Sequence, residues 1–140
     1  PTSKLTVVDD ARFGHVRGCV EYLKALFPNR ITFVKGLSTD VLASLPSESF
    51  DLIHLDGGKD QTIAQDCDLL KPLVQRDHII CIDDTQNPGV WAEVSQRRGT
   101  GNLDIRGFES MNSASEASRW RHCVARFGSD FGHDANLILY

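Results

Sequence analysis

The 140-residue chain has no apolar run long enough to span a membrane, and no charged-then-apolar signal segment opens it. We therefore expect a cytoplasmic protein with no membrane partner. Clustered basic side chains are also scarce, and the formal net charge is −4. Because phosphate binding needs grouped lysines and arginines, we expect no nucleic-acid partner.

The cysteines and histidines lack the paired spacing of a metal site. Cysteine in an apolar stretch behaves as a small hydrophobic residue, and we interpret all four as reduced core residues. These are Cys19, Cys67, Cys81 and Cys123. The histidines are interpreted as structural or surface residues. They are His15, His54, His78, His122 and His133.

Strand-like and helical segments alternate along most of the chain. Strands are expected at 5–8, 31–34, 50–55 and 78–82. Helices are expected at 11–27, 39–45, 61–74 and from Val90. This alternation predicts crossover connections. The sequence therefore indicates a single α/β domain over residues 1–140, with a mainly parallel sheet and helices on both faces.

The C-terminal third follows a different pattern. Residues 95–118 are rich in Gly, Ser, Asn and Arg, which predicts a long loop of the kind that forms lids or substrate loops. Strands are expected after it at 120–127 and 136–140, joined by a turn at 128–134. We expect these two strands to form an antiparallel hairpin at the sheet edge.

Carboxylates follow three of the four predicted parallel strands, at Asp9-Asp10, Asp56 and Asp83-Asp84. Ligands of open parallel sheets bind at the carboxyl ends of the strands, so the acids mark the expected site. Each aspartate taken alone is explained equally well as a helix N-cap. Grouped acids, however, repel one another unless a cation joins them, and Mg²⁺ prefers oxygen ligands of this type.

Lys59 stands three residues after Asp56 in the same strand-end loop. One interpretation is a lysine exposed on the surface. The other is a cation paired with the carboxylates, which beside a metal ion can act as a general base.

These features together resemble the cation-dependent O-methyltransferases. The matching residues run from Phe50 through Asp56-Gly57-Gly58-Lys59, and then through the strand ending in Asp83-Asp84 to Pro88-Gly89. Catechol-type enzymes and a broader family with an Asp-Gly-x-His strand end share this frame. The resemblance covers about residues 5–91 and implies a Rossmann-like methyltransferase fold. It also implies Asp56, Asp83 and Asp84 as Mg²⁺ ligands, and Lys59 as the catalytic base.

The same resemblance implies S-adenosylmethionine as the cofactor. Asp9 is similar to the acid that accepts hydrogen bonds from the ribose hydroxyls, and the segment from Gly36 to Ser38 is similar to the one lining the adenine. The implied cofactor-binding set is Asp9, Gly36, Leu37, Ser38 and Asp56.

The sequence departs from this family at its start, because the first strand and its glycine-rich loop have no counterpart. That strand should lie between the strands at Val7 and Ile53, where its absence leaves backbone groups unpaired. We therefore expect an N-terminally incomplete domain, or a strand supplied by another segment or by a second chain in a homo-oligomer. Gly58 also stands where relatives carry an acid or an aromatic residue, which opens the substrate side.

The expected function is Mg²⁺-assisted methyl transfer from S-adenosylmethionine to a hydroxyl of a small-molecule acceptor. The metal would hold the acceptor and lower its hydroxyl pKa, while Lys59 takes the proton. Two alternatives stay open. One is a methyltransferase-like module that binds a partner or a nucleotide without catalysis, and the other is a sugar-directed O-methyltransferase.

Overall fold

The computed structural model describes residues 3–58, 62–112 and 119–128, with residues 108–112 and 119–121 described by their backbone. The chain divides into two compact units, residues 1–45 and 46–140. The expectation of a single domain over residues 1–140 stays a prediction. No helix in the described ranges is long and apolar enough to cross a membrane.

The first unit holds a two-stranded parallel sheet. Strand β1 (Leu5–Asp9) pairs with β2 (Ile31–Lys35), with Leu5 opposite Ile31 and Asp9 opposite Lys35. Helix α1 (Gly14–Leu26) connects the two strands, and helix α2 (Ser38–Leu42) follows β2. Parallel neighbours need such a crossover connection. The strands and helices predicted for this part of the chain are therefore confirmed, with ends shifted by a few residues.

Helix α1 buries a narrow stripe. Val20 is its buried residue, whereas Tyr22 and Leu26 are exposed. Cys19 was expected in the core, and that expectation is wrong because its side chain is exposed. Successive residues of an α-helix point about 100° apart, so the neighbour of a buried residue need not share its face.

The second unit holds a four-stranded mixed sheet. Its strands are β3 (Phe50–Leu55), β4 (Val74–Ile82), β5 (Leu103–Asn112) and β6 (Arg119–Phe127). They lie in the order β3-β4-β6-β5. Strands β3 and β4 are parallel, while β6 runs antiparallel to both β4 and β5.

Two helices connect the strands of this sheet. Helix α3 (Ile63–Leu70), extended by a 3₁₀ turn at Lys71–Leu73, leads from β3 to β4. Helix α4 (Pro88–Gly99) leads from β4 to β5. The parallel β3–β4 pair with its helical crossover confirms the α/β class. Strand β4 begins at Val74, four residues before the predicted start, because Val74 pairs with Phe50.

The predicted loop at residues 95–118 is wrong over most of its length. Helix α4 continues to Gly99, and β5 occupies Leu103–Asn112. Strand β6 forms an antiparallel hairpin with β5. Residues 136–140 and most of the turn predicted before them lie outside the described residues.

The mixed sheet has two unequal faces. Alternate residues on its strands are buried, and side chains two positions apart share a face. The buried set is Ile53, Leu55, Ile80, Ile82, Cys123, Ala125 and Phe127. On the opposite face Leu52 and His54 are exposed and Cys81 is partly exposed. Polar side chains on this second face can therefore meet a ligand.

Strands β1 and β3 each pair on one side within the described residues, β1 with β2 and β3 with β4. The strand that the resemblance places between Val7 and Ile53 is not formed by any described segment. Within the described ranges, β1 and β3 therefore each have one edge that no other strand pairs with.

Candidate functional site

The carboxyl ends of β3 and β4 lie side by side. Leu55 is opposite Ile82, and the backbone N–H of Asp83 donates to the carbonyl of Leu55 at 3.0 Å. Neighbouring strands are about 4.8 Å apart, so Asp56 and Asp83, the next residue on each strand, leave the sheet at one edge. The sequence-based expectation that these strand ends adjoin is met.

Asp83 faces two histidines. Its side chain is 15% exposed, with Oδ1 2.9 Å from Nδ1 of His122 and Oδ2 3.8 Å from Nε2 of His54. Oδ1 also accepts a hydrogen bond from the backbone N–H of Asp84 at 2.6 Å. The His122 nitrogen lacks hydrogen-bond geometry toward any partner in the described part of the chain, so it lies close to Asp83 without a hydrogen bond. The carboxylate is therefore fixed in place beside both rings.

Asp84 is buried and adopts a left-handed backbone conformation, with φ 54°. Aspartate tolerates this region better than most residues do. Oδ1 of Asp84 accepts from Nε2 of Gln86 at 2.7 Å, and its carbonyl accepts from the N–H of Asn87 at 2.8 Å. A tight turn thus carries the chain from β4 into α4.

The strand-end acids are not the N-caps of the helices that follow. The caps are Phe13 for α1, Thr62 for α3 and Asn87 for α4. Of these, Asn87 accepts a hydrogen bond from the N–H of Gly89 at 2.8 Å. Helix capping therefore does not explain the carboxylates at the strand ends.

The first unit brings two residues of the expected cofactor set together. The N–H of Gly36 donates to the carbonyl of Asp9 at 3.1 Å, at the adjoining carboxyl ends of β1 and β2. Oδ1 of Asp9 accepts from the N–H of Ala11 at 2.6 Å. Leu37 is exposed and Ser38 begins helix α2. These residues line one strand-end loop, as the resemblance implies, and Asp56 belongs to the other unit.

A close contact with the Val41 side chain favours glycine at position 36. A Cβ atom on Gly36 would lie 2.8 Å from Cγ2 of Val41, which is shorter than real Cβ contacts. Val41 is itself one of the buried residues of α2. The turn between β2 and α2 can therefore be tight only without a side chain at this position.

The loop after β3 depends on glycine for a second reason. Gly58 has φ +49°, and a Cβ atom there would lie 1.4 Å from Oγ1 of Thr62. The small residue at position 58, expected to open the substrate side, is thus also required by the backbone. Lys59 lies outside the described residues, and its role as a base stays a prediction.

Sequence reasoning missed the buried carboxylate of Asp66 on α3. Asp66 is fully buried, and Oγ1 of Thr62 donates to its Oδ2 at 3.3 Å. Its Oδ1 has no hydrogen-bond partner within the described ranges. The available signal was its position between Ile63 and Cys67, on the apolar side of the helix. A Cβ atom on Gly57 would lie 3.8 Å from Oδ2 of Asp66, so this carboxylate lies beside the loop that carries Asp56.

Sequence reasoning also missed a grouping of two histidines and a cysteine. One ligand atom from each of His54, Cys81 and His122 lies within 4.8 Å of the others. Among the side chains that the structure describes, no other histidines, cysteines, aspartates or glutamates group as closely in threes. The three predicted metal-binding acids are therefore spaced more widely in this structure. His54 and Cys81 are 27 positions apart in sequence, and only the strand register makes them neighbours.

His78 is structural, as expected. It is buried, with Nδ1 2.8 Å from the carbonyl oxygen of Gln75 and Nε2 accepting from the N–H of Phe127 at 2.9 Å. Burial lowers the pKa of His78 below its ordinary value. Among the other histidines, His15 stacks on Phe13, and His133 lies outside the described residues.

A family described as a methyltransferase domain matches residues 2–85 of the chain. The match covers both expected halves of the site, from Asp9 through Asp84. The chain belongs to this family. No curated protein sequence matches it.

Solved methyltransferase structures share the fold. The O-methyltransferase TomG of Streptomyces achromogenes, involved in tomaymycin synthesis and solved with S-adenosylmethionine, is 15% identical with a TM-score of 0.69. A protein from Klebsiella pneumoniae described as an O-methyltransferase is 18% identical with a TM-score of 0.68. Each match covers 92% of this chain and 64% of the other.

Cofactor-bound Rv0187 from MTB is a third similar structure, 17% identical with a TM-score of 0.68. It matches over 89% of this chain and 62% of its own length. The chain thus spans less than two thirds of these similar proteins. The likeness confirms the expected Rossmann-like α/β methyltransferase fold.

Proposed function

We propose that this chain contributes the cofactor and metal sites of an S-adenosylmethionine-dependent O-methyltransferase that acts with Mg²⁺ on a small hydroxylated acceptor. The observation that carries the proposal is the shared edge at the ends of β3 and β4, where Asp56 and Asp83 leave the sheet from paired residues. The family match and the methyltransferase structures with bound cofactor support it.

The donor set at this edge fits Mg²⁺. All three proposed ligands are carboxylates, and hard divalent cations prefer oxygen ligands. Asp56 is exposed and can reach an ion from solvent, whereas Asp84 is buried and held by Gln86. Mg²⁺ is usually bound by one or two carboxylates and keeps several waters or substrate oxygens, so it does not need all three acids at close range.

The chain's residues then have distinct roles in the proposed reaction. Bound Mg²⁺ would supply Lewis acidity that lowers the pKa of an acceptor hydroxyl. Lys59 takes the proton of that hydroxyl. Asp9 accepts hydrogen bonds from the ribose of the cofactor, and Gly36 to Ser38 border the adenine. Fixing donor and acceptor in one geometry accounts for much of the rate acceleration in such transfers.

The metal assignment is tested by calorimetric titration of Mg²⁺ into the chain and into an Asp83→Ala, Asp84→Ala double variant. We expect the double variant to lose Mg²⁺ binding and to keep its affinity for S-adenosylhomocysteine. Asp77→Ala is the matched control, because Asp77 is an exposed acid near the other end of β4. Mg²⁺ binding that survives in a folded double variant would refute the assignment.

The reaction is tested by transfer of a labelled methyl group from S-adenosylmethionine to a panel of catechols and of free sugars. A catechol product made only with Mg²⁺ supports the proposal. A sugar product would assign the acceptor to the sugar-directed class. Cofactor binding without transfer to either class would indicate a binding module.

A further inference from the structure

Three neighbouring strands place side chains of metal-binding type together on the partly exposed face of the mixed sheet. His54 on β3 is directly opposite Cys81 on β4. Cys81 is opposite Val124 on β6, and His122 lies two positions from Val124 on the same face. The register of the sheet therefore brings one imidazole from each side toward the thiol of Cys81.

The distances are close to those around a single bound ion. At a tetrahedral Zn²⁺, bonds of about 2.0 Å to nitrogen and 2.3 Å to sulfur place two ligand atoms roughly 3.3 to 3.5 Å apart. The ligand atoms of His54, Cys81 and His122 all lie within 4.8 Å of one another. Side-chain rotations that move each ligand atom by about 1 Å or less would bring all three within range of one ion.

The donor types select against Mg²⁺ at this position. Imidazole and thiolate are ligands of zinc and of similar transition metals, whereas Mg²⁺ prefers oxygen. One thiolate, the nearby Asp83 carboxylate and two neutral imidazoles carry two negative charges, which balance a divalent ion. Asp83 lies 2.9 Å from His122 and 3.8 Å from His54, where its carboxylate adds negative charge beside the proposed ion.

The position in the fold also gives an ion access. The His54 side chain is 57% exposed, and that of His122 is 23% exposed. Cys123, the next cysteine, is on the opposite face and fully buried, where burial raises the pKa of its thiol to about 11. The two cysteines of this sheet therefore differ in environment, and Cys81 is the one beside the histidines.

We propose that His54, Cys81 and His122 form a binding site for Zn²⁺ or a transition metal of similar softness, with Asp83 as the adjoining carboxylate. Asp83 is also a proposed Mg²⁺ ligand and adjoins this site, whereas Asp56 and Asp84 are not part of it. It does not depend on methyl transfer, and it holds whether or not the chain is catalytic.

The proposal is tested with Co²⁺, a coloured substitute for Zn²⁺, titrated into the reduced chain while the absorption spectrum is recorded. We expect one Co²⁺ per chain and a charge-transfer band that reports a thiolate ligand. Cys81→Ser should remove that band, and His54→Ala should weaken binding by about tenfold or more. Zn²⁺ should displace the Co²⁺, and excess Mg²⁺ should not.

Cys19→Ser is the matched control, because Cys19 is an exposed cysteine in the other unit. It should leave both the band and the affinity unchanged. His54 is exposed, so His54→Ala tests the site with little risk to folding, which circular dichroism checks. An unaltered band in Cys81→Ser, unaltered affinity in His54→Ala, or displacement of Co²⁺ by Mg²⁺ would each overturn the proposal.

Discussion

Lowering the pH from 7.5 to 5.5 should destabilise the second unit through His78. This histidine is 1% exposed, and its two ring nitrogens face different partners. The backbone N–H of Phe127 can only donate, so the Nε2 of His78 that faces it must be unprotonated. The carbonyl of Gln75 can only accept, so the Nδ1 of His78 that faces it carries the proton. The folded protein therefore holds one neutral tautomer.

The sign and size of the effect follow from this geometry. Burial lowers the pKa of His78 in the folded protein, whereas the unfolded chain keeps the ordinary value of about 6.5. As the pH falls below that value, the unfolded chain binds the proton first. Stability is therefore complete above about pH 6.5 and is lost progressively below it. Between pH 7.5 and 5.5 the loss through one such histidine is at most about 1.4 kcal/mol.

Urea unfolding followed by circular dichroism at both pH values measures this loss, and His78→Ala isolates it. The variant leaves the N–H of Phe127 without its acceptor, so we expect it to be less stable at pH 7.5 by about 1–3 kcal/mol. At pH 5.5 the difference from the parent should shrink, because the variant has no imidazole to protonate. His15→Ala serves as the control. A difference that stays constant between the two pH values would refute this reasoning.

Two further predictions concern the cysteines and the loop after β3. In the folded chain a thiol reagent should label Cys19 quickly and Cys67 only after unfolding. Cys19 is exposed, whereas burial raises the pKa of the Cys67 thiol to about 12. Equal labelling rates of the two cysteines, measured by mass spectrometry, would contradict this prediction. Gly58→Ala should lower the free energy of unfolding by about 1–3 kcal/mol. The reason is that the left-handed backbone at position 58 and the Thr62 side chain leave no room for a Cβ atom. An unchanged free energy of unfolding in urea would refute this steric argument.

The parallel part of the fold was predictable because short apolar runs alternate with helical patterns along the chain. The runs at β1 to β4 stand out from polar turns, and helical crossovers require parallel pairing. Strand β5 was missed because one of its faces is solvated. Asp104 and Arg106 are exposed and alternate with the buried Leu103, so a local window over this strand is polar enough to indicate a loop.

The candidate site was predictable only where consecutive residues carry it. Asp56 and the Asp83-Asp84 pair mark strand ends, and strand ends of parallel neighbours adjoin whatever the exact register. The pairing of His54 with Cys81 depends on the register of β3 against β4, which spacing along one chain does not reveal. Such contacts become visible only when the strands are aligned.

The central claim, that this chain carries a cofactor site, is tested most directly by calorimetric titration of S-adenosylhomocysteine. The chain should bind it saturably, and Asp9→Ala should weaken binding by about tenfold or more, the size expected for lost hydrogen bonds to a charged group. Asp10→Ala is the matched control, because Asp10 is the adjacent acid and pairs with Arg12. A folded chain that binds no cofactor, or an Asp9→Ala variant with unchanged affinity, would contradict the account.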